Sequence, residues 1–396
     1  MAYDAITIDT STFVQSGIAL ETGLLAQLEQ FKHGPVDLIL SEIVTRELLK
    51  HLNVMTRKGR DQALSALTRL EQLQLVPEAD RPQLKALGAA ILDSREAARS
   101  RVARFAEATG AKNVAASLCS VDDVLKLYFA TGAPFEPSGD KKSEFPDAMA
   151  LLSLQKWAAT SGKRILAVSA DKGWADFAAS SEQIDVQPDL AKALEILQDH
   201  AGTAEARVAA LMAAIEAGEL PDATKMIEHM LESALSDWDF LPEGHGSFHL
   251  EADSRELQFG AYEVARIGDA YDITVVRLGN ETIVARIGVS FSATATAEFS
   301  LSIWDSIDRE YVGMGSSAAE KEIEFDGAFL ITLLGDPAGP LADFDIGEIE
   351  IVEAIDSVDF GEIELDYGDE DDFESLLGPA AGEDRSSPAA DEETPF

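Results

Sequence analysis

Four carboxylates stand out by their position relative to short apolar runs. Asp9 closes "AITID" (5–9), and Asp171 closely follows "ILAVS" (165–169). Glu47 lies one turn into the helical stretch after "VDLIL" (36–40), and Asp147 in the first turn of "FPDAMALLSLQKWA" (145–158). In an open parallel sheet, strand ends and the helix starts after them gather on the edge where ligands bind. These acids, far apart in sequence, are therefore expected to converge. Clustered carboxylates raise one another's pKa, and a divalent oxygen-seeking cation relieves the repulsion. Mg²⁺ suits such a site, and so does Mn²⁺. A metal held there acidifies a bound water, and a second ion roughly 4 Å away stabilises the attacking and leaving oxygens of a phosphodiester. Asp176 is a further candidate acid, with Glu144 and Glu42 in reserve. Lys50, Lys142 and Lys172 are candidate phosphate contacts. Trp174 and Phe145 read either as base-stacking platforms or as core.

Each acid also has a purely structural reading. Asp9 and Asp171 suit helix N-caps. Asp147 beside Pro146 suits the positive end of a helix dipole, and Glu47 an exposed helix position. The surrounding elements favour convergence, because short apolar strands alternate with helices up to about residue 199, the pattern of an α/β domain with a parallel sheet. An enlarged helical insertion falls near 59–130. Residues 200–241 read as a helical connector. Residues 242–352 are β-rich with alternation and turn signals, an antiparallel β domain. Residues 353–396 read as an acidic, disordered tail. The motif "DIGEIEI" (345–351) is echoed 14 residues later by "DFGEIEL" (359–365).

Hydrophobic residues make up 46% of the 396-residue chain, enough for a core. The formal charge of −41 is uneven. Residues 1–200 hold 22 Lys+Arg against 27 Asp+Glu, and residues 201–396 hold 9 against 45. Bulk acidity therefore does not argue against nucleic-acid binding by the N-terminal half. Cys119 is the single cysteine, which excludes an intrachain disulfide and a CxxC metal site. The sequence has no P-loop and no Ser/His/Asp motif. No apolar run is long enough to span a membrane, and "MAYDAITIDTSTF" lacks the features of a signal peptide. A cytoplasmic chain is the expectation.

The ordered set "TIDTS", "EIVTREL", "EFPDAMALLSL" and "VSADKGW" resembles the PIN-domain nuclease superfamily, in its bacterial PIN-like branch, over about residues 3–190. The resemblance implies a three-layer α/β fold and a metal-dependent endonuclease acting mostly on RNA. It carries the acidic set onto Asp9, Glu47, Asp147 and Asp171, with Asp9, Asp147 and Asp171 as metal ligands. Thr10 and Ser11 resemble the family's frequent hydroxyl beside the first acid. The helical insertion departs from the compact family pattern. Related folds cleave DNA flaps, so a DNA nuclease (flap or single-strand) of a bacterial defence or repair system is an alternative, and a PIN-like scaffold that acts as a binding module with little activity is another. The β domain and acidic tail are candidate contacts for a protein partner or inhibitor. The tail reads as a solubilising segment or as a brake on a basic phosphate track. The oligomeric state is open.

Overall fold

The computed structural model describes residues 3–135, 144–198, 201–337 and 344–365. Lys142 and the acidic tail beyond Leu365, with its brake reading, lie outside the described residues. Two compact units form. The first takes in residues up to Trp238 with Leu257–Thr294 and Glu322–Ile355. The second holds Asp239–Glu256, Ala295–Lys321 and the described residues from Asp356 on.

The first unit opens with a parallel sheet. Its strands are β1 (Ala5–Ile8), β2 (Asp37–Ser41), β3 (Lys112–Val114), β4 (Ile165–Val168) and β5 (Ile184–Gln187), in the spatial order β3-β2-β1-β4-β5. The helices between them are α1 (Thr10–Gln15), α2 (Gly23–Ala26), α3 (Glu42–Gln72), α4 (Arg81–Ala90), α5 (Ser94–Thr109), α6 (Val121–Ala130), α7 (Phe145–Ser161) and α8 (Lys172–Ala178), with α9 (Leu190–Ile196) after β5. The period of two along each strand sorts its side chains onto two faces. Ile6, Ile8, Leu38, Leu40, Leu166 and Val168 enter one core with residues of α3, α5 and α9. Ala5, Ile39, Ile165 and Ala167 enter the other, against Leu151, Leu154 and Ala158 of α7 and Trp174 of α8. Both faces are covered, so the strands read as near-continuous apolar runs.

The sequence reading misses β3. Three residues, "KNV", of which only Val114 is buried, are too short to show a period. The stretch after Ser41 is a single helix of 31 residues, α3, whose Ser41 cap accepts from Ile43 N. Helix α7 starts with Pro146 in its first turn and ends at Gly162, whose φ of 64° is the left-handed cap that glycine adopts without strain.

Helices α10 (Ala201–Glu216) and α11 (Pro221–Ser236) lead to β6 (Leu241–His245), β7 (His249–Val264), the two-residue β8 (Arg266–Ile267) and β9 (Ala270–Tyr271), β10 (Ile273–Leu278), β11 (Thr282–Asp305), β12 (Glu310–Leu334), β13 (Asp345–Glu353) and β14 (Ser357–Glu362). Strands β10-β11-β12-β13 form the main sheet, and β7 pairs with β11; the β10–β11 and β12–β13 ladders are antiparallel. Strand β10 is buried on both faces. Val276, with Val284 of β11 and Leu330 of β12, shares a core with Leu190 and Leu194 of α9. Ile273 and Val275 share another with α10 and α11. Polar links follow: Gln30 Nε2 and Gln198 Nε2 donate to Val276 O at 3.1 and 3.4 Å, and Gly23 N donates to Glu350 Oε2 at 2.6 Å. In the second unit, β14 pairs in parallel with β6, and Phe299, Ala297 and Ile363 form a small core. Strand β14 thus lies inside the stretch expected from 353 onward as tail; its alternation is hidden by acids on the exposed side. Among the described residues no helix is long and apolar enough to cross a membrane.

Candidate active site

The strand order places β1 at the sheet's topological switch point, where the crossovers diverge and a crevice opens at the carboxyl edge. Asp9 N donates to Val168 O at 2.9 Å, tying the ends of β1 and β4 together. Asp9 caps α1: its Oδ1 accepts from Thr10 N at 2.6 Å, and its Oδ2 accepts from Ser11 Oγ and, at 2.9 Å, from Ser169 Oγ. Only 5% of Asp9 is exposed, so desolvation pushes its pKa up. The three hydrogen bonds oppose that rise and the charge of Asp171 adds to it. Asp171 caps α8, accepting from Gly173 N at 2.6 Å and Trp174 N at 3.3 Å. The cap readings of Asp9 and Asp171 are thus realised, and they aim both carboxylates at the sheet edge.

Asp147 is drawn in by its own helix. It stands one turn before Leu151, in line with Leu154 and Ala158 of the buried stripe of α7, and is itself half-buried. Trp174, fully buried, donates from Nε1 to Asp147 Oδ1 at 3.0 Å. The indole is therefore core rather than a stacking platform, and it also fixes an acid. Desolvation lifts the Asp147 pKa to about 6; the Trp174 bond opposes this, and the charges of Asp9, Asp171 and Glu47 reinforce it. Glu47 stands on α3 beside buried Val44 and Leu48, and its Oε2 accepts from Thr10 Oγ1 at 2.7 Å. Asp147 thus lies within electrostatic reach of the other three acids that the sequence singles out.

Of the reserve acids, Glu42 and Asp176 are engaged by local partners. Glu42 accepts from Ala116 N at 2.9 Å and pairs with Arg46, and these contacts lower its pKa. Asp176 pairs with Lys172 on the exposed side of α8. Glu144 stands at the N-cap of α7 without a side-chain cap bond. Lys50 is exposed on α3. Phe145 packs on Tyr128 and Phe135, with ring centroids 5.1 and 5.0 Å away.

Sequence reasoning missed Ser169. It is buried, donates to Asp9 Oδ2 and accepts from Asp171 N at 3.1 Å, so one hydroxyl links two of the acids. Its signal lay in "VSAD", where a hydroxyl ends the strand two residues before an acid. Ser169→Ala leaves Asp9 desolvated with one donor fewer and strands the Asp171 N–H. The expected loss is about 1–3 kcal/mol, seen as a lower midpoint in urea unfolding without metal.

The donor set is all oxygen and crowded with like charge, which fits a hard divalent cation. Among the described residues no three His, Cys, Asp or Glu side chains are gathered into a ready ligand group.

An open parallel sheet with acids at its switch-point edge defines an α/β domain of the kind that binds its ligand at the strand ends. Residues 6–174 match the family model of the PIN domain, and this N-terminal segment is a PIN domain. PIN domains are generally nucleases that use divalent metal ions. Comparison of the chain with curated proteins and with solved structures gives no match.

Proposed function

We propose that the chain is a metal-dependent endonuclease that cleaves RNA, with Asp9, Asp147 and Asp171 as the residues that would hold Mg²⁺ or Mn²⁺, directly or through water. The observation that carries this reading is the half-buried Asp147 carboxylate, held by Trp174 among the charges of Asp9, Asp171 and Glu47. Carboxylates concentrated at a strand edge repel one another at a cost in stability, and neither Glu47 nor Asp147 is there as a helix cap. Bound there, the ion supplies an acidified water and neutralises charge on the phosphate. The protein's own part is orientation. Ser11, Ser169 and Thr10 N fix the Asp9 carboxylate, the Thr10 hydroxyl holds Glu47, and the first turn of α8 holds Asp171. Preset donors of this kind save reorganisation at the moment of reaction.

The test incubates the full chain with end-labelled RNA and with single-stranded, double-stranded and flapped DNA, in Mn²⁺ or in EDTA. Cleavage of RNA with Mn²⁺ and none in EDTA is expected. Preference for a DNA substrate would move the reading to a DNA nuclease, and cleavage in EDTA or none at all would overturn it.

A further inference from the structure

Beside Glu47 the surface opens into a groove of about 420 Å³ between α3 and α7. Ile43, Arg46, Glu47 and Lys50 recur at i, i+3, i+4 and i+7, so a single stripe of α3 makes one wall. The first turn of α7 makes the other, with Phe145, Pro146 and Met149. The lining is apolar along Ile43, Phe145, Pro146 and Met149, and the two cations are exposed on the α3 side. Arg46 is steadied by its ion pair with Glu42. Lys50 has no ion-pair partner among the described residues. The groove runs directly into the acidic edge. Glu47 lines it while accepting from Thr10, the residue after Asp9, and Pro146 lines it immediately before Asp147.

An apolar slot beside cations matches the two halves of a nucleotide. Bases dock on apolar and aromatic surface whatever their identity, and phosphates take Lys and Arg. The volume lies in the range of pockets that take one small ligand rather than a helix or a strand. We propose that this groove is the subsite for one unpaired nucleotide next to the scissile phosphate, with its base against Phe145 and Met149 and its phosphate on Lys50 and Arg46. The substrate is therefore single-stranded at the cut, because a base inside a duplex keeps both faces stacked. The assignment of the neighbouring phosphate as scissile rests on the nuclease reading above.

The experiment uses the full-length chain and 5′-fluorescein oligonucleotides of one sequence, as single-stranded RNA, single-stranded DNA and RNA duplex. Lys50→Ala and Met149→Gln each change a part-exposed or exposed side chain, so folding is checked by melting. With Mn²⁺, each is expected to raise KM for single-stranded RNA at least about tenfold and to leave kcat within about twofold. Anisotropy in EDTA, on an Asp147→Asn background, is expected to weaken by the same factor for single strands and to stay unchanged for the duplex. Single-stranded DNA that depends on the groove as strongly as RNA supports the subsite and places sugar selection elsewhere. Cleavage by wild type with unchanged KM in both folded variants overturns the subsite and leaves the nuclease standing. Groove-dependent binding without any cleavage keeps the subsite and overturns the nuclease. Binding that ignores both substitutions, or duplex weakened equally, overturns the subsite.

Discussion

Asp147→Asn is expected to cut phosphodiester cleavage by at least ~10³-fold while making the metal-free protein more stable at pH 7. The two effects have one cause. Asp147 is desolvated by the buried stripe of α7 and faces the charges of Asp9, Asp171 and Glu47, so its pKa stands at about 6 against 3.8 for a free side chain. Below about pH 3.8 the group is protonated whether the chain is folded or not, and it costs nothing. As pH rises toward 6 the unfolded chain ionises first, so folding stability falls, and above 6 the full penalty is present. A shift of roughly two units corresponds to at most about 3 kcal/mol. Asn keeps the acceptor for Trp174 Nε1 and has no charge to bury. In EDTA, the wild-type melting temperature is expected to drop more between pH 4 and pH 7 than that of the variant, and the variant is expected to melt several degrees higher at pH 7. A variant that melts lower at pH 7 would mean that the first-turn dipole contribution of Asp147 outweighs the repulsion, and the electrostatic account of the site would fail.

How the site could be seen in the sequence follows from the same physics. Ile6 to Ile8, Leu38 to Leu40 and Ile165 to Val168 are buried on both faces, and such strands announce themselves as uninterrupted apolar runs. An acid at the end of such a run has few places to go, so Asp9 and Asp171 were legible. Asp147 was legible because it shares the helical period of Leu151 and Leu154. The partners were not. Ser169 meets Asp9 across 160 residues, and Trp174 meets Asp147 across 27. A hydroxyl or an indole carries no pattern that says which carboxylate it will face. Asp176 was a further candidate in sequence and Glu42 a reserve, and both have local partners: Ala116 N and Arg46 for Glu42, Lys172 for Asp176. Strand β10 shows the limit for the fold. Its four-residue buried run reads as a core strand, yet nothing in "ITVV" reveals that Val276 faces α9 while Val275 faces α10 and α11.

Trp174 offers the second large effect, because packing and hydrogen bonding can be separated at one residue. The side chain is fully buried between α7, β4 and the rest of α8, so Trp174→Ala removes a large ring from a close-packed core. A loss of about 3–5 kcal/mol is expected, with activity falling through unfolding. Trp174→Phe keeps most of the apolar volume and deletes only the Nε1 donor. Asp147 then sits in the same desolvated position without its 3.0 Å partner. The Trp174 bond is the contact that holds the Asp147 pKa down against burial and its charged neighbours. Its removal moves that pKa further above 6, so the acid limb of the pH–rate profile is expected to shift to higher pH by about one unit. At pH 6 the variant loses roughly fivefold in kcat/KM, and nearly all of that loss is recovered by pH 8. A packing defect alone would lower activity evenly across pH and would not be recovered. An unshifted profile in a folded Trp174→Phe protein would therefore show that the indole only fills space, and that Asp147 is positioned by its helix without help.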